Sequence, residues 1–424
     1  MPSGSTLWTL LLLGLVFCGL DGVYLFYRIH LLSPTTSTTT ILEDATTKKS
    51  KQHVRHDKEP LIEILRQSGM KESDITDNVV ERLPTWSTVT SLMGTHPRIH
   101  GLDTCPSFRS SIPPAESFVA PAGAFNSGTN LMAELLIANC INPHRVAKYG
   151  VGNNGVRWQV NWGKHQPPSH RLDHSVNQDG QVPNQNILPV VLVRDPYTWM
   201  QSLCRNRYAT HWFHVVPLHC PNLIPNHVER EFLPQAPTYK QRRTDLHHND
   251  PWLIDNVVNT ANYTLDSKTV PVYVKYKKET TNHDSLAHMW NDWYHAYFYN
   301  DDNNNNGSSF PRLMVRFEDL LFFGKNVTEQ VCACMGGRIH PRGFVHVAQS
   351  AKKGKIHQDK STLVDVLVRY GGGARYDADK SKGMTAEDLD FAKASLDPHM
   401  MQVFGYQHPT VPQQQQPQQE EKES

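Results

Sequence analysis

The chain lacks a net charge of either sign. Its 42 lysines and arginines offset 41 aspartates and glutamates, which leaves a formal charge of +1 at pH 7. Proteins that attract nucleic acid through their overall electrostatic field carry a basic excess. Nucleic acid is therefore not an expected partner.

Cysteine is scarce, with seven residues in a chain of 424. Cys332 and Cys334 are two positions apart, but no second Cys/His pair at zinc spacing accompanies them. The sequence therefore predicts no metal centre. Cys18 lies in an apolar run, and the other six could form up to three disulfides, in a pairing that the sequence leaves open. These six are Cys105, Cys140, Cys204, Cys220, Cys332 and Cys334.

The N-terminal apolar run, from Leu7 to Tyr27, has about the length of a membrane span and is interrupted only by Asp21. No small-x-small cleavage site closes it, which favours a transmembrane signal anchor over 7–27, after a short segment 1–6, above a cleaved signal peptide.

Two features predict that the rest of the chain is lumenal. Three glycosylation sequons begin at Asn262, Asn306 and Asn326, and the six cysteines suit an oxidising compartment. Basic residues follow the run, which the positive-inside rule assigns to the cytoplasmic side. We give the sequons and cysteines more weight.

Composition divides the remainder of the chain into three parts. Residues 28–58 are Thr-rich, then basic, as in a solvated stem, and residues 411–424 form a Gln/Pro/Glu-rich tail that we expect to be disordered. The catalytic domain is predicted over 59–410, and no internal repeat is visible.

Strand and helix patterns alternate within this domain. Ile187 to Val193 is a nearly continuous apolar, β-branched run, typical of a strand buried on both faces of a parallel sheet. The pattern predicts an α/β fold with an open parallel sheet, whose ligands lie at the carboxyl ends of the strands. Other predicted strands cover Phe118–Ala120, Val272–Val274 and Arg312–Phe317, and predicted helices cover Leu131–Ala138 and Tyr197–Arg205.

The first informative motif is a turn from Pro121 that opens into a helix. Gly123 and Gly128 have the spacing of the two glycines of a P-loop, in which backbone N–H groups and a helix dipole surround an anion. Thr129 and Asn130 replace the Lys and Ser/Thr that hold nucleotide phosphates and Mg²⁺. The loop suits a phosphate without a metal, and a plain tight turn is the alternative.

The second motif places Arg194 at the end of a buried strand and Ser202 eight residues later, in the following helix. Both side chains can point to the ligand-binding edge and contact one phosphate. Alternatively, Arg194 pairs with a carboxylate such as Asp195 or Glu318.

Together these motifs resemble the sulfotransferases that use 3′-phosphoadenosine 5′-phosphosulfate (PAPS). That family has a Lys-Ser-Gly-Thr-Thr-type loop for the 5′-phosphosulfate, and a strand-end Arg and a later Ser for the 3′-phosphate. Val315 to Leu320 is similar to an Arg-Tyr-Glu-Asp-Leu strand end, and Lys352-Lys353-Gly354 to a loop that closes on the 3′-phosphate. The resemblance covers about 118–360, implies a P-loop-like sheet flanked by helices, and implies these PAPS-binding residues: Gly123, Phe125, Asn126, Ser127, Gly128, Thr129, Asn130, Arg194, Ser202, Lys352, Lys353 and Gly354.

The resemblance also implies catalytic residues. Asn126 stands where the family has a catalytic Lys, so the missing charge falls to Lys164, Lys148 or the Lys352-Lys353 loop. Trp162 to Pro167 resembles a Lys-Thr-His-Leu-Pro segment whose His is the general base. His165 is then the general base, because the range 135–228 contains no Glu that could act in its place, and Asp173 and His174 are reserves. Lys164 is the best candidate for the missing charge.

The expected function is a Golgi, single-pass sulfotransferase that transfers the sulfuryl group of PAPS to a hydroxyl or amine of a glycan. Its expected partners are the glycan and the membrane, and its oligomeric state is open. The alternatives are a non-catalytic nucleotide- or glycan-binding relative and a P-loop phosphotransferase. Basic residues that could receive an acidic glycan are Arg205, Arg207, Arg242 and Arg243.

Overall fold

The computed structural model of the chain describes residues 55–171, 182–212, 219–232, 268–276, 279–299, 310–347 and 362–410. The predicted anchor, most of the stem and the C-terminal tail lie outside these ranges. So do the following residues singled out above: Asp173, His174, Arg242, Arg243, Asn262, Asn306, Lys352, Lys353 and Gly354.

Nine strands occur in the described ranges and form three sheets. The main sheet has the order β1-β8-β4-β2, β3 pairs with β9, and a third sheet has the order β5-β6-β7. The strands are β1 Ile99–His100, β2 Phe118–Gly123, β3 Cys140–Ile141, β4 Ile187–Val193, β5 Thr210–Trp212, β6 Val272–Lys275, β7 Thr280–His283, β8 Leu313–Arg316 and β9 Arg338–Ile339.

Alternating side chains of β4 explain why this strand is central. Every residue of β4 is buried. Val191 and Val193 pack into one hydrophobic core, whereas Leu188, Val190 and Leu192 pack into a second core. A strand with apolar residues on both faces must be covered by helices on both sides. The helices therefore form a layer on each face of the main sheet.

The α-helices of the described ranges surround this sheet. They are α1 Glu59–Gln67, α2 Asp77–Arg82, α3 Trp86–Met93, α4 Cys105–Ser111, α5 Thr129–Asn139, α6 Pro143–Tyr149, α7 Pro196–Arg205, α8 His227–Phe232, α9 Leu286–Phe298, α10 Phe317–Phe322, α11 Gly324–Cys334, α12 Leu363–Gly371, α13 Gly373–Ser381, α14 Ala386–Ser395 and α15 Pro398–Phe404.

The predicted α/β architecture is confirmed, with two corrections to the sheet. Strands β2, β4 and β8 are parallel, but the edge strand β1 runs antiparallel to β8. Val272–Val274 is a strand, β6, but it belongs to the separate antiparallel sheet with β5 and β7. A short apolar run predicts a strand without specifying its partner, which explains the second error.

The apolar stripe of α9 lies in the core, as the sequence indicates. Trp290, Tyr294 and Tyr297 have no exposed surface. Their polar atoms are bonded internally: Trp290 Nε1 donates to the Arg194 carbonyl oxygen at 3.1 Å, and Tyr294 Oη to that of Leu192 at 2.8 Å. The helix therefore supports the carboxyl end of β4 from one face.

The six cysteines form three disulfides. They pair as Cys105–Cys334, Cys140–Cys332 and Cys204–Cys220. The neighbouring cysteines of α11 thus bond to two different elements, α4 and β3, rather than to a metal ion. Within the described ranges, no helix combines the length and apolar character needed to cross a bilayer.

A buried histidine joins the segment around α8 to α14. His219 Nδ1 lies 3.0 Å from Glu229 Oε2, and His219 Nε2 lies 2.6 Å from Asp388 Oδ2. A protonated ring can donate to both carboxylates at once, so this arrangement favours the imidazolium form. Burial disfavours this charge, but the hydrogen bonds that the ring donates to the two carboxylates outweigh it and raise the pKa of His219 to about 9.

This contact predicts a loss of stability in alkali. The folded-state pKa of His219, about 9, exceeds its ordinary value of 6.5, so its contribution is complete below pH 6.5 and lost as pH rises through 9. The shift corresponds to about 3 kcal/mol. Denaturant unfolding of the full chain from pH 6 to 10 should show this decline, and His219→Gln should flatten it. His170→Gln is the matched control and should retain the decline; an equal decline in His219→Gln contradicts the prediction.

Candidate functional site

The turn after β2 lies at the carboxyl edge of the main sheet and leads directly into α5. Gly128 is the N-cap residue of α5, has a left-handed φ of 97°, and provides no side chain to cap the helix. The first N–H groups of a helix need partners and carry the positive end of its dipole. The start of α5 therefore has the polarity that an anion requires.

Both glycines of the turn are required by close packing. A Cβ atom at Gly123 would lie 2.4 Å from Ser127 Oγ, and one at Gly128 would lie 2.3 Å from the Phe317 ring. Phe317 follows β8, so a residue at the end of β8 covers the turn that follows β2. The Gly-x₄-Gly spacing thus permits the turn to fold back tightly on the sheet edge.

Asn126 connects the turn to the end of α7. Its φ of 62° is left-handed, a conformation that Asn adopts more readily than most residues. Its Nδ2 donates to the carbonyl oxygen of Asn206 at 2.6 Å and, more weakly, to that of Ser202 at 3.4 Å. The amide at the position of the family Lys is therefore used in a structural contact.

Arg194 lies at the centre of the carboxyl edge, directly after β4. Its Nη1 donates to the Asn126 carbonyl oxygen at 2.8 Å, and its Nη2 donates to the Tyr370 hydroxyl. The guanidinium also lies 5.0 Å from the centre of the Phe317 ring. The buried Nε has no hydrogen-bond partner among the described residues.

The carboxylates near Arg194 have other partners, so the alternative that Arg194 is ion-paired is not supported. Asp195 Oδ2 pairs with Lys380 Nζ at 2.7 Å, and both side chains are buried. Glu318 accepts hydrogen bonds from the Asp195 N–H and the Tyr406 hydroxyl. Burial and, after it, the charge of Asp195 raise the pKa of Glu318 to about 7. Little negative charge therefore competes for the Arg194 guanidinium.

Ser202 is buried and bonds to Arg205, which lines a groove near Arg194. Its Oγ donates to the Thr198 carbonyl oxygen at 2.9 Å and accepts from Arg205 Nη2 at 3.2 Å. Burial lowers the pKa of Arg205, and the nearby charges of Arg369 and Arg194 lower it further. The groove has a volume of about 810 Å³, within the usual range of ligand pockets.

The groove carries an excess of positive charge. Arg82 pairs with Asp365, and Arg369 pairs with Asp379 at 3.4 Å. Its full lining in the described ranges is Arg82, Gln201, Cys204, Arg205, Cys220, Asp365, Val368, Arg369, Ala378, Asp379 and Lys382. Four cations face two carboxylates, so the groove suits an anionic ligand.

The segment from Gly155 to His165 runs beside the free edge of β2. The Val119 N–H donates to the Gly155 carbonyl oxygen, and the Gly123 N–H donates to that of Lys164 at 3.0 Å. This pairing brings Lys164 to the turn, where its Nζ donates to Asn130 Oδ1 at 2.7 Å. A cation therefore reaches the start of α5 from a segment 34 residues away.

His165 lies against the same turn in a defined tautomer. Its Nδ1 is 2.8 Å from the carbonyl oxygen of Gly123, which can only accept, so Nδ1 carries the proton and Nε2 is free to act as a base. Burial lowers the pKa of His165 to about 4, and the Lys164 ammonium contributes in the same direction. The imidazole is therefore neutral at pH 7.

The remaining site predictions have different outcomes. Ser127 and Thr129 are buried in the turn, and the carbonyl oxygen of Phe125 accepts from Trp199 Nε1 at 2.6 Å. Lys148 is not part of the edge. It pairs with Glu116, which precedes β2, so it lies at the opposite end of that strand, about 20 Å away.

The structure adds contacts at the edge that the sequence does not indicate. Phe317, Arg369 and Tyr370 meet Arg194 or Arg205 although they are more than 100 positions away in the chain. No local motif marks the residues of α12, so only the packing of this helix against the edge reveals them. The described residues hold no group of three or more His, Cys, Asp or Glu side chains arranged to bind a metal ion.

Gly128→Ala tests the packing of the turn against Phe317. Gly152 has a similar φ of 100° but no atom near its Cβ position, so Gly152→Ala isolates the cost of the backbone conformation, about 1 kcal/mol. Gly128→Ala should lower the free energy of unfolding by at least about 1 kcal/mol more, because the methyl group meets the ring. Equal losses in denaturant unfolding would contradict this packing.

No protein-family model, no curated protein and no solved structure significantly matches this chain. The likeness to the PAPS-dependent sulfotransferases is therefore carried by the short motifs and by the positions of their residues at one sheet edge.

Proposed function

We propose that the chain is a sulfotransferase that moves the sulfuryl group of PAPS to a hydroxyl or amine of a glycan. The observation that carries the proposal is the convergence of the turn 123–130, Lys164, His165 and Arg194 at the carboxyl edge of parallel strands. Parallel sheets bind ligands at this edge.

The two ends of the nucleotide have separate binding groups. The start of α5, with Lys164 beside it, suits the 5′-phosphosulfate. Arg194, Ser202 and Arg205 suit the 3′-phosphate, and Arg369 adds charge from α12. A bound phosphate would relieve the repulsion among these guanidinium groups, and the unpaired Arg194 Nε provides a further donor.

The chemistry requires a base and positive charge. In the transfer, the acceptor oxygen or nitrogen forms a bond to sulfur, and the bond between sulfur and the 5′-phosphate oxygen breaks. The leaving group is 3′-phosphoadenosine 5′-phosphate. His165 Nε2 receives the acceptor proton, and Lys164 stabilises the charge that develops on the sulfuryl and leaving oxygens. Binding of an anion next to Lys164 would raise the pKa of His165 from about 4 and make it a stronger base.

The secretory location belongs to the same proposal. Three disulfides within the described residues suit an oxidising compartment. The sequon residue Asn326 is exposed on α11, where a glycan would be accommodated. The proposed anchor over 7–27 would then place this domain in the Golgi lumen.

A non-catalytic nucleotide- or glycan-binding relative is the second candidate, and Asn126 favours it. The family Lys is absent, and the Asn126 amide is committed to carbonyl oxygens of the α7 terminus. Such a protein would bind the nucleotide without turnover.

Calorimetry with 3′-phosphoadenosine 5′-phosphate tests the nucleotide site. The full chain should bind this ligand in preference to ATP with Mg²⁺. Arg194→Ala should weaken binding by about 1.5–3 kcal/mol, because a hydrogen bond to a charged group is lost, whereas Arg109→Ala, an exposed arginine remote from the edge, should have no effect. Unchanged affinity in Arg194→Ala removes the 3′-phosphate assignment. Binding of ATP alone favours a phosphotransferase.

Loss of the base tests catalysis. His165→Ala should lower kcat by about 10²–10⁴-fold while nucleotide affinity is kept. The assay measures the 3′-phosphoadenosine 5′-phosphate that is released from PAPS in the presence of mixed glycosaminoglycans. The exposed His96→Ala is the control. In the wild-type chain, kcat/KM for PAPS should fall only as the pH drops towards 4, where His165 of the free protein becomes protonated. Nucleotide binding without turnover in the wild-type chain would support the non-catalytic candidate.

A further inference from the structure

Tyr208 has a backbone conformation that a bulky residue rarely adopts. Its φ is 55°, in the left-handed region. Contacts on both sides impose it: the Asn206 carbonyl oxygen accepts from Asn126, and the Ala209 carbonyl oxygen accepts from the Lys275 N–H at 2.9 Å. Strain of this kind is often found where function fixes the position of a side chain.

The ring of Tyr208 extends a row of rings that ends at His165. It stacks on Phe125 with centroids 5.7 Å apart and planes at 14°, and Phe125 lies 4.7 Å from the His165 ring at 33°. Phe125 packs against the Tyr208 ring, while 52% of the residue remains exposed. A flat, preorganised aromatic surface therefore leads from solvent towards the proposed base.

We propose that Tyr208 is the platform on which a sugar ring of the acceptor lies. This inference rests on the proposed function and names the acceptor side of that site. The apolar C–H face of a pyranose can cover the exposed ring, and the phenol can bond to a sugar hydroxyl.

The position of the row favours a sugar over the purine of the nucleotide. The ring row ends at His165, which would receive the acceptor proton, whereas Arg194 and Ser202 would hold the nucleotide by its 3′-phosphate. An acceptor on Tyr208 thus approaches the base along the row. Tyr208 is in this view a residue that determines acceptor specificity, and it takes no part in proton transfer.

Two measurements on the full chain test the platform. The first is the acceptor KM with chondroitin, heparan and neutral galactose oligosaccharides, beside the Kd of 3′-phosphoadenosine 5′-phosphate. Tyr208→Ala should raise the KM by about three- to tenfold and leave the nucleotide Kd and the pH profile of kcat/KM unchanged. Tyr208→Phe keeps the ring and should restore most of the affinity. Tyr299→Ala, another half-exposed tyrosine, is the matched control.

The second measurement is saturation-transfer NMR with the same oligosaccharides and no nucleotide, in which Tyr208→Ala should lose the signal. If that loss occurs in a chain that does not bind the nucleotide, the platform stands and the proposed function falls. A Tyr208→Ala chain with normal acceptor KM and normal oligosaccharide signal overturns the platform while the proposed function stands. Weakened nucleotide binding in Tyr208→Ala also overturns the platform, because the ring would then hold the purine. A wild-type chain that binds none of the oligosaccharides overturns it as well.

Discussion

The guanidinium of Arg194 joins segments that the chain order keeps far apart. It bonds to the turn after β2, bonds to Tyr370 of α12, and lies over Phe317 after β8. Burying an arginine is costly unless its N–H groups find acceptors, and here neutral oxygens accept from both Nη atoms, while Asp195 is paired with Lys380. The edge of the sheet is thus ordered around a cation that has kept most of its charge available.

Asn126 and Lys164 make different contacts at the turn after β2. Asn126 fits a left-handed backbone position and ties the turn to α7, which a Lys at this position would do less well. Lys164 reaches the same helix start because its segment runs along the free edge of β2. Asn126 therefore provides a structural contact at this turn, and Lys164 provides its positive charge.

The sequence predicted the parts of the fold that depend on local pattern. The run Ile187–Val193 is a strand to the residue, because continuous burial on both faces leaves a clear signal. The antiparallel edge strand β1 is only two residues long and leaves none. In the same way Gly123 and Gly128 could be recognised from their spacing, whereas the roles of Phe317 and Tyr370 depend on packing between distant segments. Lys148 was a wrong candidate because its distance from the turn is set by tertiary structure.

The pairing of the cysteines in α11 changes what breaking the backbone would do. The disulfide Cys105–Cys334 closes a loop of the chain that contains β2, β4 and β8 of the main sheet. Within it, Cys140–Cys332 closes a smaller loop that contains β4 and β8. A single proteolytic cut at any peptide bond between residues 140 and 332 would leave both fragments covalently attached. The nicked protein would migrate as one species until a reductant was added, and its β2 and β8 segments would stay at high effective concentration for each other. A cut between these cysteines therefore does not separate the two halves of the site.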